Sequence, residues 1–175
     1  MPLTSSQINV TPSFGGPNQL GGLNFASTGF SVIMSQSIQY LITYTWDPHD
    51  DIESMDDIMD PPSAVLGFAN ITTVGCDGAA FSGLGGTTCS TGLTTTVMVF
   101  DNNGTTQLKD RKDIAPSQIL GIRTTIDLEA MGGSASFDSV GSDSLVPEPA
   151  TWWLCAAALT LLAARLRRLR ARLHP

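Results

Sequence analysis

The stretch SVIMSQSIQYLITYTW, residues 31–46, decides the fold class predicted for this chain. Its apolar and aromatic side chains share one parity: Val32, Met34, Ile38, Tyr40, Ile42, Tyr44 and Trp46. Its polar side chains share the other parity: Ser31, Ser35, Ser37, Gln39, Thr43 and Thr45. Alternation with a period of two is typical of β-structure in which one face is buried. The stretch therefore predicts one strand, or two joined strands.

Two further segments extend the β pattern along the chain. Residues 65–74 and residues 94–100 are apolar and rich in side chains that favour strands. The second segment ends in DNNG at residues 101–104, which are residue types common in tight turns. A hairpin or tight reversal is therefore predicted directly after it.

The alternation resumes at residues 122–129 and ends at two glycines, residues 132–133. Residues 134–140 are then expected to return as a partner strand. No convincing amphipathic helix precedes residue 150. These patterns predict an all-β domain, an antiparallel β-sandwich or jelly roll, followed by one C-terminal hydrophobic helix.

Composition divides the 175 residues into three parts. Residues 1–29 are rich in Gly, Pro, Ser, Thr and Asn, and they are expected to form a flexible segment. Residues 30–145 have the size of one domain and are expected to form the β-sandwich. Residues 146–175 form a tail of different composition. Only 14% of the residues are charged, which favours solvated strands and turns over charged surface helices.

Charge is distributed unevenly along the chain. The formal net charge is -7, but five of the nine basic residues lie after residue 160. The part before the tail therefore carries a formal charge of about -11. Such a surface repels phosphate backbones and anionic membranes, which argues against nucleic acid as a partner. Cations or neutral glycans are the expected partners.

The tail has three consecutive parts. A proline-containing motif comes first: Val146, Pro147, Glu148 and Pro149. The expected membrane anchor follows: Trp152, Trp153, Leu154, Leu159, Leu161 and Leu162. A basic cluster comes last: Arg165, Arg167, Arg168, Arg170 and Arg172. Proline keeps the motif extended and accessible as a peptide substrate, and the arginines are expected on the cytoplasmic side of a membrane.

The apolar stretch, residues 152–164, is short for a membrane span. At about 1.5 Å per residue, its length as a helix falls short of a hydrocarbon core of about 30 Å. Arginine side chains can reach back to water, and leucines at helical spacing continue the apolar stripe to Leu173. A helix extended to Leu173 would be long enough to span. The alternative is an amphipathic helix that lies on the membrane or docks on the domain.

The order of these three parts resembles the PEP-CTERM sorting domain of Gram-negative bacteria. The resemblance covers residues 146–173 and implies that Pro147, Glu148 and Pro149 are recognised by an exosortase, a membrane enzyme that processes such tails. It implies a precursor in the inner membrane with its body outside the cytoplasm, and a mature form at the cell surface or secreted. Such proteins commonly belong to bacteria that make extracellular polysaccharide. They also carry a signal peptide, so the natural start is expected upstream of Met1.

Cys76 and Cys89 bracket a loop rich in Gly and Thr. In an oxidising compartment they are expected to form a disulfide, which would stabilise the fold by roughly 3 kcal/mol. The alternatives are two free thiols or a metal pair. Cys155 lies in the apolar stretch and is expected to act there as a small hydrophobic residue.

Residues 47–60 form the densest acidic stretch, and Asp47, Asp50 and Asp51 are weak candidates for a calcium site. Their spacing does not match a calcium loop, so a solvated loop between strands is the favoured interpretation. No other cofactor is expected. A calcium- or glycan-binding module is the alternative function, supported by this stretch and by Tyr44 and Trp46, which are expected to be exposed beside it.

Catalysis has little support in the sequence. His49 is the only histidine outside the tail, and no phosphate-binding loop or zinc motif occurs. The chain is therefore expected not to be an enzyme, with a secreted hydrolase as the least favoured hypothesis. The leading hypothesis is an exported surface or matrix protein, sorted by its tail, with a structural or interaction role linked to exopolysaccharide or biofilm.

Overall fold

The computed structural model describes residues 7–13, 21–47, 51–83 and 85–145, and these residues form antiparallel β-structure almost throughout, with no α-helix among them. The strands in chain order are β1 (Asn9–Ser13), β2 (Gly21–Ala26), β3 (Ser31–Ile33), β4 (Ser37–Trp46), β5 (Ile52–Asp77), β6 (Phe81–Ser82), β7 (Thr88–Cys89), β8 (Thr94–Asn102), β9 (Thr105–Gln107), β10 (Lys109–Ser117) and β11 (Leu120–Leu145). The prediction of an all-β domain is confirmed for this part of the chain.

Two long strands, β5 and β11, organise the sheet by pairing with each other along their length. Their pairing has an irregularity between Ala130 and Ser134, which separates it into two halves. We call these halves layer one (residues 52–65 with 134–145) and layer two (residues 67–77 with 120–130). Strands β1, β2, β3 and β10 extend layer one, whereas β4, β8 and β9 extend layer two.

The two layers share a hydrophobic core. Phe30 stacks on Phe137, with ring centroids 4.7 Å apart, and meets the edge of Tyr40 from layer two at 5.7 Å. Buried residues from both layers surround these rings: Phe25, Val32, Met59, Ala69, Ile71, Val99, Ile126, Leu128, Ala130, Ala135 and Val140. A second cluster lies further along the same interior: Ile52, Met55, Val97, Ile114, Leu120 and Ile122. Burial of apolar side chains from both layers is the main force that holds them face to face.

The chain bends sharply where one layer passes into the other. Leu66 has a left-handed backbone conformation, with φ of 51°, and a Cβ on Gly133 would lie 1.8 Å from the carbonyl oxygen of Val65. The end of β8 supports this bend, because a carboxylate oxygen of Asp101 accepts a hydrogen bond from the amide of Ala64 at 3.0 Å. Only glycine leaves room at position 133 for so close an approach of two backbones.

The alternation that decided the fold class corresponds to two joined strands. Met34 and Ser35 have φ of 49° and 58° and separate β3 from β4. Val32 and Tyr40 are buried as predicted, but Met34 is 74% exposed because it lies in this turn. The strand at residues 94–100 and the turn after it are also confirmed, since β8 and β9 form a hairpin around Asn103 and Gly104.

Two predictions of local structure are wrong. Residues 134–140 do not return as a partner strand. They continue β11, whose pairing with β5 is irregular at Gly132 and Gly133 and resumes beyond them. Residues 1–29 are not a loop throughout, since they contain β1 and β2, and Phe25 of β2 is in the core. These strands are held by backbone pairing with β11 and with each other, which leaves little trace in side-chain periodicity.

The tail with its motif, apolar stretch and arginine cluster lies outside the described residues, as does its Cys155. Among the residues that the structure describes, no helix is long and apolar enough to cross a membrane. The sorting signal therefore remains a prediction from the sequence.

Candidate functional site on the outer face of layer two

The outer face of layer two carries a shallow depression, which we call the trough. Strand register places its side chains in two rows that cross β4, β11, β5 and β8 in that order. One row consists of Gln39, Asp127, Asn70 and Phe100, and the next consists of Ser37, Glu129, Phe68 and Asn102. Two adjoining clefts of about 450 and 360 Å³ share Phe68 and Asn70 and together form the trough, with Met98 at one side.

Alternation explains why these side chains point outward. Phe68 and Asn70 lie on either side of Ala69, which is fully buried, and Asp127 and Glu129 lie on either side of buried Leu128. Successive side chains of a strand point to opposite faces, so the apolar residues enter the core and their neighbours form the trough. The core and the candidate site are therefore two faces of the same strands.

Polar groups of the trough are only partly satisfied by one another. The side-chain amide of Gln39 donates a hydrogen bond of 2.7 Å to Asp127 Oδ1. Asn70 Oδ1 is buried and has no hydrogen-bond partner in the described part of the chain. An unsatisfied acceptor of this kind costs free energy. Asn70 lines both clefts and is only half-buried as a residue, so the accessible part of its side chain is available to a ligand.

Aromatic and apolar surface adjoins these polar groups. Phe68 and Phe100 lie on neighbouring strands at diagonal positions, about 7–8 Å apart by the geometry of such pairs. Both rings are partly exposed, and Met98, next to them on β8, is 41% exposed. Flat apolar rings next to amide and carboxylate groups suit a ligand that has both C–H faces and hydroxyl edges.

The loop closed by the disulfide bounds the face beyond the trough. Cys76 and Cys89 are bonded, which confirms the predicted disulfide. The loop contacts layer two through Arg123, whose guanidinium lies 5.1 Å from the ring centroid of Phe81 and donates a hydrogen bond of 3.3 Å to the carbonyl of Thr87. The disulfide thus holds this loop against the sheet that carries the trough.

A second polar cluster lies inside the fold, between the two apolar clusters. Asp57 is fully buried, and neither of its carboxylate oxygens has a hydrogen-bond partner within the described ranges. Burial raises the pKa of Asp57 to about 7, while the hydroxyls of Thr73 and Ser142 act in the opposite direction. Burial also raises the pKa of the nearby Tyr44 hydroxyl. This cluster is closed to solvent and does not open into the trough, so it acts on stability.

One pair of carboxylates suggests hydrolase chemistry at first sight. Asp56 and Asp143 are register partners on the outer face of layer one. Asp56 is 3% exposed, and Lys109 Nζ lies 3.3 Å from its carboxylate. Asp143 accepts a hydrogen bond from the hydroxyl of Ser13. Burial is the main cause that raises the pKa of Asp56, and Lys109 lowers it. Both carboxylates therefore have structural partners and line no described cleft.

The acidic stretch differs from the loop that was predicted. Asp56 and Asp57 belong to β5 and are buried, because pairing with β10 and β11 continues through these residues. Asp47 and Asp51 are exposed, while Asp50 and His49 lie outside the described residues. In the ranges described, no three His, Cys, Asp or Glu side chains come together as a metal site.

Tyr44 and Trp46 are also placed differently from the prediction of exposed aromatics. Both pack against the second cluster of the core, the one that contains Ile52 and Met55, and the Tyr44 hydroxyl and Trp46 Nε1 are buried. Sequence reasoning missed the trough itself. Its residues belong to segments that were predicted to be strands, but the register that brings Asp127 beside Asn70 joins residues far apart in the chain.

Comparisons with known proteins give no family. No family model and no curated protein matches the chain. Among solved structures, the chain is similar to the carbohydrate-binding module TmCBM61 in complex with β-1,4-galactotriose, at 12% identity, with 79% of this chain and 82% of that chain covered and a TM-score of 0.31. It is also similar to the carbohydrate-binding module CBM6cm-2 from Cellvibrio mixtus lichenase 5A in complex with cellotriose, at 11% identity, 79% and 87% coverage and a TM-score of 0.28. With scores this low, the trough has to be judged on its own geometry.

Proposed function

We propose that this protein is a non-catalytic, exported surface or matrix protein whose β-sandwich binds polysaccharide in the trough. The single observation that carries the binding role is the placement of Phe68 and Phe100 beside the side chains of Asn70, Asp127 and Glu129 on one open face. Sugar rings present apolar C–H faces to aromatic side chains and hydroxyls to amides and carboxylates. The trough offers both kinds of contact along adjacent strands.

The shape of the site also favours an extended ligand over a small one. The two clefts adjoin each other across four strands and are open to solvent along their length. Most pockets that hold small molecules enclose them much more fully. A chain of sugar residues can contact several positions of an open face at once, and many weak contacts then sum to useful affinity.

Delivery to the cell surface is the part of the proposal that comes from the tail. An exosortase would recognise Pro147, Glu148 and Pro149 in a precursor whose apolar helix is held in the inner membrane. Removal of the tail would then leave the acidic β-domain among extracellular polysaccharide. A neutral or weakly charged glycan is a partner that the acidic body would not repel.

Truncation of the trough rings tests polysaccharide binding. We expect Phe68→Ala and Phe100→Ala each to weaken binding roughly tenfold, equivalent to about 1.4 kcal/mol, because each removes stacking area from the ligand. Affinity electrophoresis of the full chain in gels that contain soluble neutral polysaccharides measures this change.

Ile58→Ala is the matched control, because Ile58 is a partly exposed apolar residue on layer one. It should leave migration in every gel unchanged, and thermal unfolding should show that all three variants are folded. Retention of full affinity by both phenylalanine variants would exclude the trough as the binding site.

The sorting proposal has a separate test. In the native host, we expect the intact mass of the extracellular protein to lack the C-terminal helix. Replacement of Pro147, Glu148 and Pro149 by alanine should leave the full-length chain in the membrane fraction. A wild-type extracellular protein that still ends at Pro175 would contradict processing and favour the amphipathic-helix alternative.

A further inference from the structure

We infer that the trough selects polysaccharides that carry free amino groups, and this inference rests on the proposed binding function. Asp127 and Glu129 are two positions apart on β11 and point to the same outer face. Their neighbours across the sheet are uncharged: Gln39 and Asn70 beside Asp127, and Ser37 and Phe68 beside Glu129. The floor of the trough therefore carries two negative charges with no positive charge beside them.

The basic residues in the described part of the chain do not neutralise Asp127 or Glu129. Lys109, Arg111 and Lys112 lie on β10, which pairs in layer one. Within the described ranges, Arg123 is the basic residue on the outer face of layer two, and Phe81 and the carbonyl of Thr87 hold its guanidinium. Asp127 and Glu129 form no ion pair with any described residue. A positively charged ligand can therefore form the ion pairs that Asp127 and Glu129 lack within the described chain.

An ammonium group on a sugar fits these surroundings by two interactions. It can donate charge-assisted hydrogen bonds to the carboxylates, which are stronger than neutral hydrogen bonds. It can also lie over the face of Phe68, the register partner of Glu129, because an aromatic ring attracts a cation. A uronic acid in the same position would face two carboxylates and would be repelled. The same residues therefore favour amino sugars and exclude acidic sugars.

The test uses three hexasaccharides of different charge, measured by isothermal titration calorimetry with the full chain. The first is β-1,4-linked glucosamine, the second is its fully N-acetylated form, and the third is galacturonic acid. At pH 6 and low salt we expect the free-amine hexamer to bind about tenfold more tightly than the N-acetylated hexamer, and galacturonate not to bind. The preference should shrink in 0.5 M salt, because exposed charge pairs are screened.

The variants separate the trough from the general acidity of the protein. Asp127→Asn with Glu129→Gln should abolish the tenfold preference for the free-amine hexamer over the N-acetylated hexamer. Asp60→Asn with Asp113→Asn removes the same net charge from exposed positions on layer one and should keep the preference.

The remaining outcomes contradict either amine selection alone or polysaccharide binding as a whole. Equal binding of the amine and N-acetylated hexamers would overturn amine selection and leave polysaccharide binding in place. A preference that survives the Asp127 and Glu129 double variant would also overturn it, because the charge responsible would then lie elsewhere. If no hexamer binds and the neutral polysaccharides do not bind either, the proposed function fails as well.

Discussion

Replacement of Asp57 by asparagine is expected to stabilise the protein at pH 8 by on the order of 4 kcal/mol and to have little effect at pH 4. Asp57 lies on the inward face of β5 between Met55 and Met59, with both carboxylate oxygens lacking partners among the described residues. Burial raises its pKa from 3.8 to about 7. One pKa unit corresponds to about 1.4 kcal/mol. The raised pKa of Asp57 therefore changes the free energy of unfolding by an amount that is large compared with the stability of a typical domain.

The direction of the pH effect follows from proton binding. Between pH 4 and pH 7 the folded state keeps the proton on Asp57, whereas the unfolded state has released it. The free energy of unfolding therefore falls as pH rises through this window, and the full cost is present above pH 7. Asparagine carries no charge at any pH, so the variant lacks this contribution. Burial also raises the pKa of Asp56 and Asp77, which should leave a smaller slope of the same sign.

Urea unfolding of the wild type and the variant at pH values from 4 to 8 measures the effect. Asp60→Asn is the control for lost charge, because Asp60 is an exposed residue of the same strand. If the free energy of unfolding of the wild type does not decline between pH 4 and pH 7, the pKa of Asp57 is not raised in the folded state and the prediction is wrong. An Asp57→Asn variant less stable than the wild type at pH 8 would contradict the prediction directly.

Removal of the disulfide, by serine at both Cys76 and Cys89, is the second large effect. The bond joins residues 13 positions apart. Closing such a loop restricts the unfolded chain, and its loss is expected to cost about 3 kcal/mol on the chain-entropy model. Cys76 is also fully buried at the end of β5, so a serine hydroxyl there adds a cost of its own. Thermal unfolding in the oxidised and reduced states measures the change.

The comparison between reduction and mutation gives the control. Reduction of the wild type should lower its unfolding temperature toward that of the double serine variant, and reduction of the variant should have no effect. We also expect weaker contact between Arg123 and the loop, because the bond no longer holds Phe81 and Thr87 in place. A double variant as stable as the oxidised wild type would mean that packing of the loop alone is sufficient.

Some elements could be predicted because their signal is local. The alternation from Val32 to Trp46, the turn at Asn103 and Gly104 and the cysteine pair each depend on residues close in sequence. Other elements could not be predicted, because their cause lies elsewhere in the chain. β1 and β2 have weak patterns and exist through backbone pairing at the edge of layer one. The buried position of Asp57 contradicts its residue type and follows from the strand that carries it.

Side-chain alternation was sufficient to establish the all-β class, because the two-residue repeat of a strand depends only on residues within that strand. The alternation at residues 122–129 also separated Asp127 and Glu129 from the core residues next to them in sequence, whereas no alternation was predicted that separated Phe68 and Asn70 from theirs. The folded chain alone brought those four side chains onto one face, through pairing of β5 with β11 across dozens of intervening residues. Register between distant strands is chosen by the burial of both layers together, and no single segment contains that information.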